Sequence, residues 1–122
     1  MRLLLDTHAF IWWDRGELNP AARQVIVDAD VVLVSAVSAW EIAIKAALGK
    51  MRAASPLADA IADYGFEELP VAIRHADAVR SLPAHHADPF DRLLIAQARL
   101  EGLTIVTTDR KFEPYKVVVH WI

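Results

Sequence analysis

Four acids, Asp6, Glu41, Asp91 and Asp109, stand at points of the sequence where an α/β chain can bring them into one crevice. Asp6 ends the apolar run Leu3-Leu4-Leu5, and Asp109 follows the apolar stretch Leu103 to Thr107. Glu41 comes soon after Val31-Val32-Leu33-Val34, and Asp91 lies just inside a segment that opens with Asp88-Pro89. Two carboxylates about 4 Å apart repel by roughly 1 kcal/mol in water and roughly 4 kcal/mol at an effective dielectric near 20. Four of them together must either take up protons or surround a cation. The chain has no cysteine, so its donors are oxygens, which suit the hard ions Mg²⁺ and Mn²⁺. An ion held this way can activate water and neutralise charge on a phosphoryl oxygen.

Each acid also has a plainer reading. Asp91 favours the positive end of its own helix, Glu41 completes a Ser-x-x-Glu capping box with Ser38, and Asp109 is a turn residue. Asp6 resists this treatment, because a carboxyl abutting a buried strand needs a partner. Asp88 reads as a helix N-cap that could also share a helix face with Asp91 three residues on. His85-His86 beside Asp88 reads either as a transition-metal site or as a polar loop before a helix, and His8 either as a neighbour of the ligands or as a helix-surface residue. Lys45, Arg92 and Arg110 are candidates for phosphate contact, set against the ordinary role of solvated surface charge.

The elements that must position these groups follow from pattern. Leu3 to Leu5 and Val31 to Val34 are unbroken apolar runs, as expected of strands buried on both faces of a parallel sheet. Asn19-Pro20 is a cap followed by proline at the first helical position, which predicts a helix to about Val27. A helix is expected from about Ala36 to Leu48, closed by Gly49, and another from Ser55-Pro56 to about Tyr64, before Gly65. Phe66 to Val71 reads as a short edge strand stopped by Pro70, and Ile73 to Leu82 as a helix ended by Pro83. Asp88-Pro89 opens the clearest helix, running to about Glu101 and stopped by Gly102. Leu103 to Thr107 and Lys116 to Trp121 complete the strands. Trp12 and Trp13 fall on a short helix where at most one can face the core fully, leaving the other for a partner surface, while Trp40 and Trp121 are expected in the core.

Strands alternating with helices predict a three-layer α/β/α sandwich around a mostly parallel sheet of four to five strands. The chain of 122 residues is the size of one domain, residues 1–122, with no linker or internal repeat. Apolar residues at 55% and charged residues at 24% describe a folded globular chain. The apolar N-terminal run is too short for a membrane span, and the lack of cysteine makes a cytoplasmic setting the default. A formal charge of −3 argues against a protein that coats nucleic acid through a broad basic face, and leaves a metal-using nuclease open.

Together, LLLDTH with Trp12 after it, SAVSAWEIAIKAALGK, HHADPFDRLLIAQARLEG and LTIVTTDRKFEPY resemble, in order and spacing, the PilT N-terminus (PIN) domain nucleases. Within that family the chain looks like the VapC-like toxins of bacterial toxin–antitoxin pairs. The resemblance spans nearly the whole chain. It implies an endoribonuclease that hydrolyses RNA with Mg²⁺ or Mn²⁺ held by Asp6, Glu41, Asp91 and Asp109. Thr7 and Ser38 fall where the family often has a hydroxyl near the metal or its water, and Thr108 falls in the small-polar position before the last acid. It also implies a homodimer and a small antitoxin that blocks the acidic pocket.

Other readings of the same residues are a housekeeping ribonuclease of this family and a non-catalytic module that keeps the fold for partner contact. A phosphatase of the haloacid dehalogenase type also places an Asp after its first strand, but wants a second Asp where this chain has His8.

Overall fold

The computed structural model describes residues 1–52 and 56–122. Strands β1 (Arg2–Leu5), β2 (Val31–Ser35), β3 (Glu67–Leu69), β4 (Thr104–Thr107) and β5 (Val119–Trp121) form one sheet in the order β3-β2-β1-β4-β5. Every pairing is parallel. Helices α1 (Thr7–Arg15), α2 (Pro20–Val27), α3 (Ala36–Ala47), α4 (Leu57–Tyr64), α5 (Ile73–Ala78) and α6 (Pro89–Glu101) connect the strands, with 3₁₀ turns at Val79–Ser81 and Arg110–Phe112.

The central strand explains the layering. Leu3, Leu4 and Leu5 are fully buried, and successive side chains of a strand point to opposite faces. Leu3 and Leu5 pack with Ala9, Phe10, Ile26 and Ile61 from α1, α2 and α4. Leu4 packs on the other face with Val37, Leu94, Ile95 and Phe112, brought by α3, α6 and the second 3₁₀ turn. Each leucine contributes about 1.5–3 kcal/mol by leaving water, so the middle strand anchors both apolar layers of an α/β/α sandwich.

The register then aligns the site. Leu5 pairs with Val34 on one side and with Val106 on the other. The next residues, Asp6, Ser35 and Thr107, therefore stand level at the carboxyl edge of three adjacent strands. β1 lies between β2 and β4, so the chain leaves it in opposite directions, and it is at such a reversal that α/β sheets open a crevice.

Several expectations need correction. The capping box assigned to Ser38 and Glu41 does not exist: Ser35 caps α3, its hydroxyl accepting the Val37 N–H at 3.0 Å, and Ser38 lies inside the first turn. The helix expected from Ile73 to Leu82 is α5 followed by a 3₁₀ turn. The last strand begins at Val119 rather than Lys116. Trp40, expected in the core, is 56% exposed and stands edge-on to Phe90 with ring centroids 5.0 Å apart. Trp121 is half-buried against the core. Ser55, placed at the start of α4, lies outside the described residues.

Candidate metal centre at the carboxyl edge of the sheet

Asp6 follows β1 directly and caps α1. One of its oxygens accepts the Ala9 N–H at 2.7 Å and the other accepts the Thr107 hydroxyl at 2.5 Å. Burial pushes its carboxyl above the usual aspartate range; the hydrogen bonds from Thr107 and Ala9 and the nearby His8 pull it down, and the charge of Asp109 pushes it up again. Thr107 links the two acids, because its oxygen also accepts the Asp109 N–H at 2.9 Å. The Asp109 carboxylate accepts the Lys111 N–H at 3.0 Å and so caps the following 3₁₀ turn.

Glu41 is buried one and a half turns into α3. The Thr7 hydroxyl donates to its Oε1 at 2.6 Å and lies 3.0 Å from the Ser38 hydroxyl, which joins the starts of α1 and α3. Lys45, one turn further on, pairs with Glu41 Oε2 at 2.5 Å. That bond raises the Lys45 ammonium above its ordinary value against the opposing effect of burial, and the charges of Glu41, Asp88 and Asp91 add to it. Lys45 thus faces the acids of α6 as well as its own partner.

Asp88 caps α6, accepting the Asp91 N–H at 3.0 Å. Burial pushes the Asp91 carboxyl up to about 6; a hydrogen bond from His86 lowers it, and the charges of Asp88 and Asp6 raise it further. His86 Nε2 lies 2.8 Å from Asp91 Oδ2. Ligand atoms of His86, Asp88 and Asp91 all fall within 4.8 Å of one another.

The fold therefore brings Asp6, Glu41, Asp91 and Asp109 to one edge of the sheet, with Asp88 among them. Thr7 and Ser38, which the resemblance puts near the metal or its water, meet each other and Glu41 where α1 and α3 begin. Thr108, expected in the small-polar position before Asp109, is exposed, and it is the preceding residue, Thr107, whose hydroxyl donates to Asp6. Sequence reasoning missed Thr107 because only the register of β4 against β1 identifies it. Arg92, read as an RNA contact, is committed inside the protein: its guanidinium donates to the carbonyls of Pro83 at 2.8 Å and of Val79 and Leu82 at 3.3 Å, and to the Tyr115 hydroxyl at 3.1 Å. Arg110 lies over the Trp121 ring, 4.2 Å from its centroid. His85 stands edge-on to Tyr115, and His8 lies tilted beside Trp12 with ring centroids 6.0 Å apart.

Five carboxylates share this edge, with Lys45 bonded to Glu41, His86 to Asp91 and His8 near Asp6. Buried anions without matching cations are costly, and the raised carboxyls of Asp6 and Asp91 record that cost. The donors are carboxylate and hydroxyl oxygens with one imidazole nearby, a set that fits a divalent cation.

A family model described as PIN domain matches residues 3–117. The ribonuclease VapC22 of Mycobacterium tuberculosis (strain ATCC 25618 / H37Rv) is 32% identical over 119 residues, covering 93% of this chain and 92% of that protein. Among solved structures, VapBC2 from Rickettsia felis bound to a DNA fragment from its promoter superposes with a TM-score of 0.74 at 12% identity, covering 100% of this chain and 99% of that one. DNA-bound VapBC from Salmonella typhimurium gives 0.72 at 17% identity, over 98% of this chain and 97% of the other. At these identities the two structures speak for the fold.

Proposed function

The chain belongs to the PIN domain family, and on that basis we propose that it is a divalent-metal-dependent endoribonuclease, the toxin of a toxin–antitoxin pair. What supports this reading is the charge crowding at the carboxyl edge of the sheet: Asp6 feels Asp109, Asp91 feels Asp6 and Asp88, and Lys45 lies between Glu41 and the acids of α6. Similarity over nearly the full length to a protein named as a ribonuclease supports the reaction class.

Asp6, Glu41, Asp91 and Asp109 would hold Mg²⁺ or Mn²⁺, which when bound supplies an activated water and charge neutralisation at the leaving 3′-oxygen. The chain's own contribution is preorganisation. Asp6 cannot swing, because Ala9 and Thr107 occupy one oxygen each. Glu41 is fixed between Thr7 and Lys45. Asp91, with a carboxyl titrating near 6, is mostly ionised and able to bind a cation at neutral pH. Lys45 and Arg110 are the candidates to receive RNA phosphate beside the acids, since Arg92 is taken up by backbone carbonyls. The products are 5′-phosphate and 3′-hydroxyl ends, with no need for a 2′-hydroxyl nucleophile.

The solved relatives are complexes of toxin with antitoxin, which supports a small antitoxin as the protein partner. An apolar groove of about 210 Å³ between α1, α3 and α4, lined in part by Phe10, Ile11, Ile42 and Leu57, lies on the helices that carry Thr7 and Glu41. An antitoxin segment seated there would reach the acidic pocket; a homodimer completes the family expectation.

The test is cleavage of a single-stranded RNA by purified protein. We expect cutting in Mg²⁺ or Mn²⁺, none in excess chelator, and a drop of at least about a hundredfold in Asp6→Asn. Undiminished cutting by Asp6→Asn in Mg²⁺ would remove Asp6 from the site and this mechanism with it.

A further inference from the structure

Resting on the reading of the acids as a metal centre, we infer that His86 Nε2 is a ligand of the same ion, beside Asp91, and that it biases the centre toward Mn²⁺ over Mg²⁺. His86 belongs to none of the elements that carry the four acids. It sits in the loop before α6, and its side chain is only 10% exposed.

Three features argue that this position is built. The loop is fastened next to the ring: the His86 N–H donates to the Tyr115 hydroxyl at 2.9 Å, and Tyr115 is itself buried. Arg92 holds the same loop through the carbonyls of Leu82 and Pro83. The ring nitrogen is aimed at the acids, 2.8 Å from Asp91 Oδ2 and within 4.8 Å of an Asp88 oxygen. A solvated loop histidine would need none of this.

The spacing also suits coordination. Two ligands bound side by side on an octahedral ion at about 2.1 Å lie about 3 Å apart, close to the 2.8 Å between His86 Nε2 and Asp91 Oδ2. Binding would replace the hydrogen bond between them: Nε2 gives up its proton, the ring carries one on Nδ1, and the lone pair of Nε2 turns to the ion. Imidazole favours transition ions over Mg²⁺, whose preferred donors are oxygens. One nitrogen in a set of carboxylates therefore strengthens Mn²⁺ binding more than Mg²⁺ binding.

Mn²⁺ is also the probe. Pulsed electron paramagnetic resonance of the Mn²⁺-loaded protein should show coupling to one imidazole ¹⁴N, lost in His86→Ala. Calorimetric titration of His86→Ala should show Mn²⁺ affinity lower by about tenfold or more, with a smaller loss for Mg²⁺, and His85→Ala should match the unaltered protein. Mn²⁺ bound without nitrogen coupling overturns the inference, as does His86→Ala binding Mn²⁺ at least as tightly as the parent chain, the result expected if His86 serves only as a counter-charge. Nitrogen-coupled Mn²⁺ in a protein that cuts no RNA would uphold His86 and remove the nuclease reading. Oxygen-only coordination with RNA still cut would do the reverse.

Discussion

Asp91 shows how a single side chain records the strain of the pocket. Its carboxyl is pushed up to about 6, first by burial and then by the charges of Asp88 and Asp6. In the unfolded chain the same group releases its proton near pH 4. Between those values the folded protein binds more protons than the unfolded one, so the metal-free protein loses stability as pH rises from about 4 to about 6 and levels off above. Asp91→Asn removes that loss. Denaturant titrations in chelator should find the variant gaining on the parent chain across this window, by up to about 3 kcal/mol at pH 7. A gap that stays flat from pH 4 to 7 would mean that Asp91 is not held in a crowded anionic site. Asp6 is displaced in the same direction for the same first reason.

At the level of elements, the segment from the 3₁₀ turn Val79–Ser81 to the start of α6 has little regular structure, and Arg92 organises it. One guanidinium donates to the carbonyls of Leu82 and Pro83 and to that of Val79, which also accepts the Leu82 N–H, and shares the Tyr115 hydroxyl with the His86 N–H. Arg92→Ala should cost about 1–3 kcal/mol by leaving those groups unmet. Hydrogen exchange should quicken around residues 79–88 while β1 and β2 stay protected. If exchange there is unchanged, the loop is held by something other than Arg92. Asn19 and Asp88 act more locally: each caps a helix whose first residue is proline, α2 and α6 respectively.

For the whole molecule, 16 acidic against 13 basic residues leave a formal charge of −3, and five of the acids line the edge where, on the proposed reading, RNA would approach. With Arg92 turned inward, Lys45 and Arg110 are the basic groups left to meet phosphate among the candidates, so few counterions are displaced when RNA binds. For single strands each phosphate contact contributes about −0.7 to the slope of log affinity against log salt. Fluorescence anisotropy with the Asp6→Asn protein should therefore give a slope of about −2 or shallower. A slope steeper than about −4 would reveal a basic surface elsewhere and shift the RNA path away from these two residues.

Much of this was legible in the residue order. Apolar runs marked β1, β2 and β4, paired caps and prolines marked α2 and α6, and acids at or near the ends of such elements marked the pocket, because each signal is carried by neighbours along the chain. Two glycines at helix ends worked the same way: Gly65 and Gly102 close α4 and α6 in the left-handed conformation that other residues avoid. What could not be read depends on contacts between distant segments. Thr107 rather than Thr108 reaches Asp6 because of the register of β4 on β1, which a one-residue slip would reverse. Arg92 points inward because loop carbonyls happen to surround it, and Trp40 lies exposed because α3 turns that face away from the sheet. Ser35 caps α3 in place of Ser38 because β2 runs one residue beyond its apolar run. Patterns along a chain specify elements; which side chains then touch is a property of how those elements pack in three dimensions.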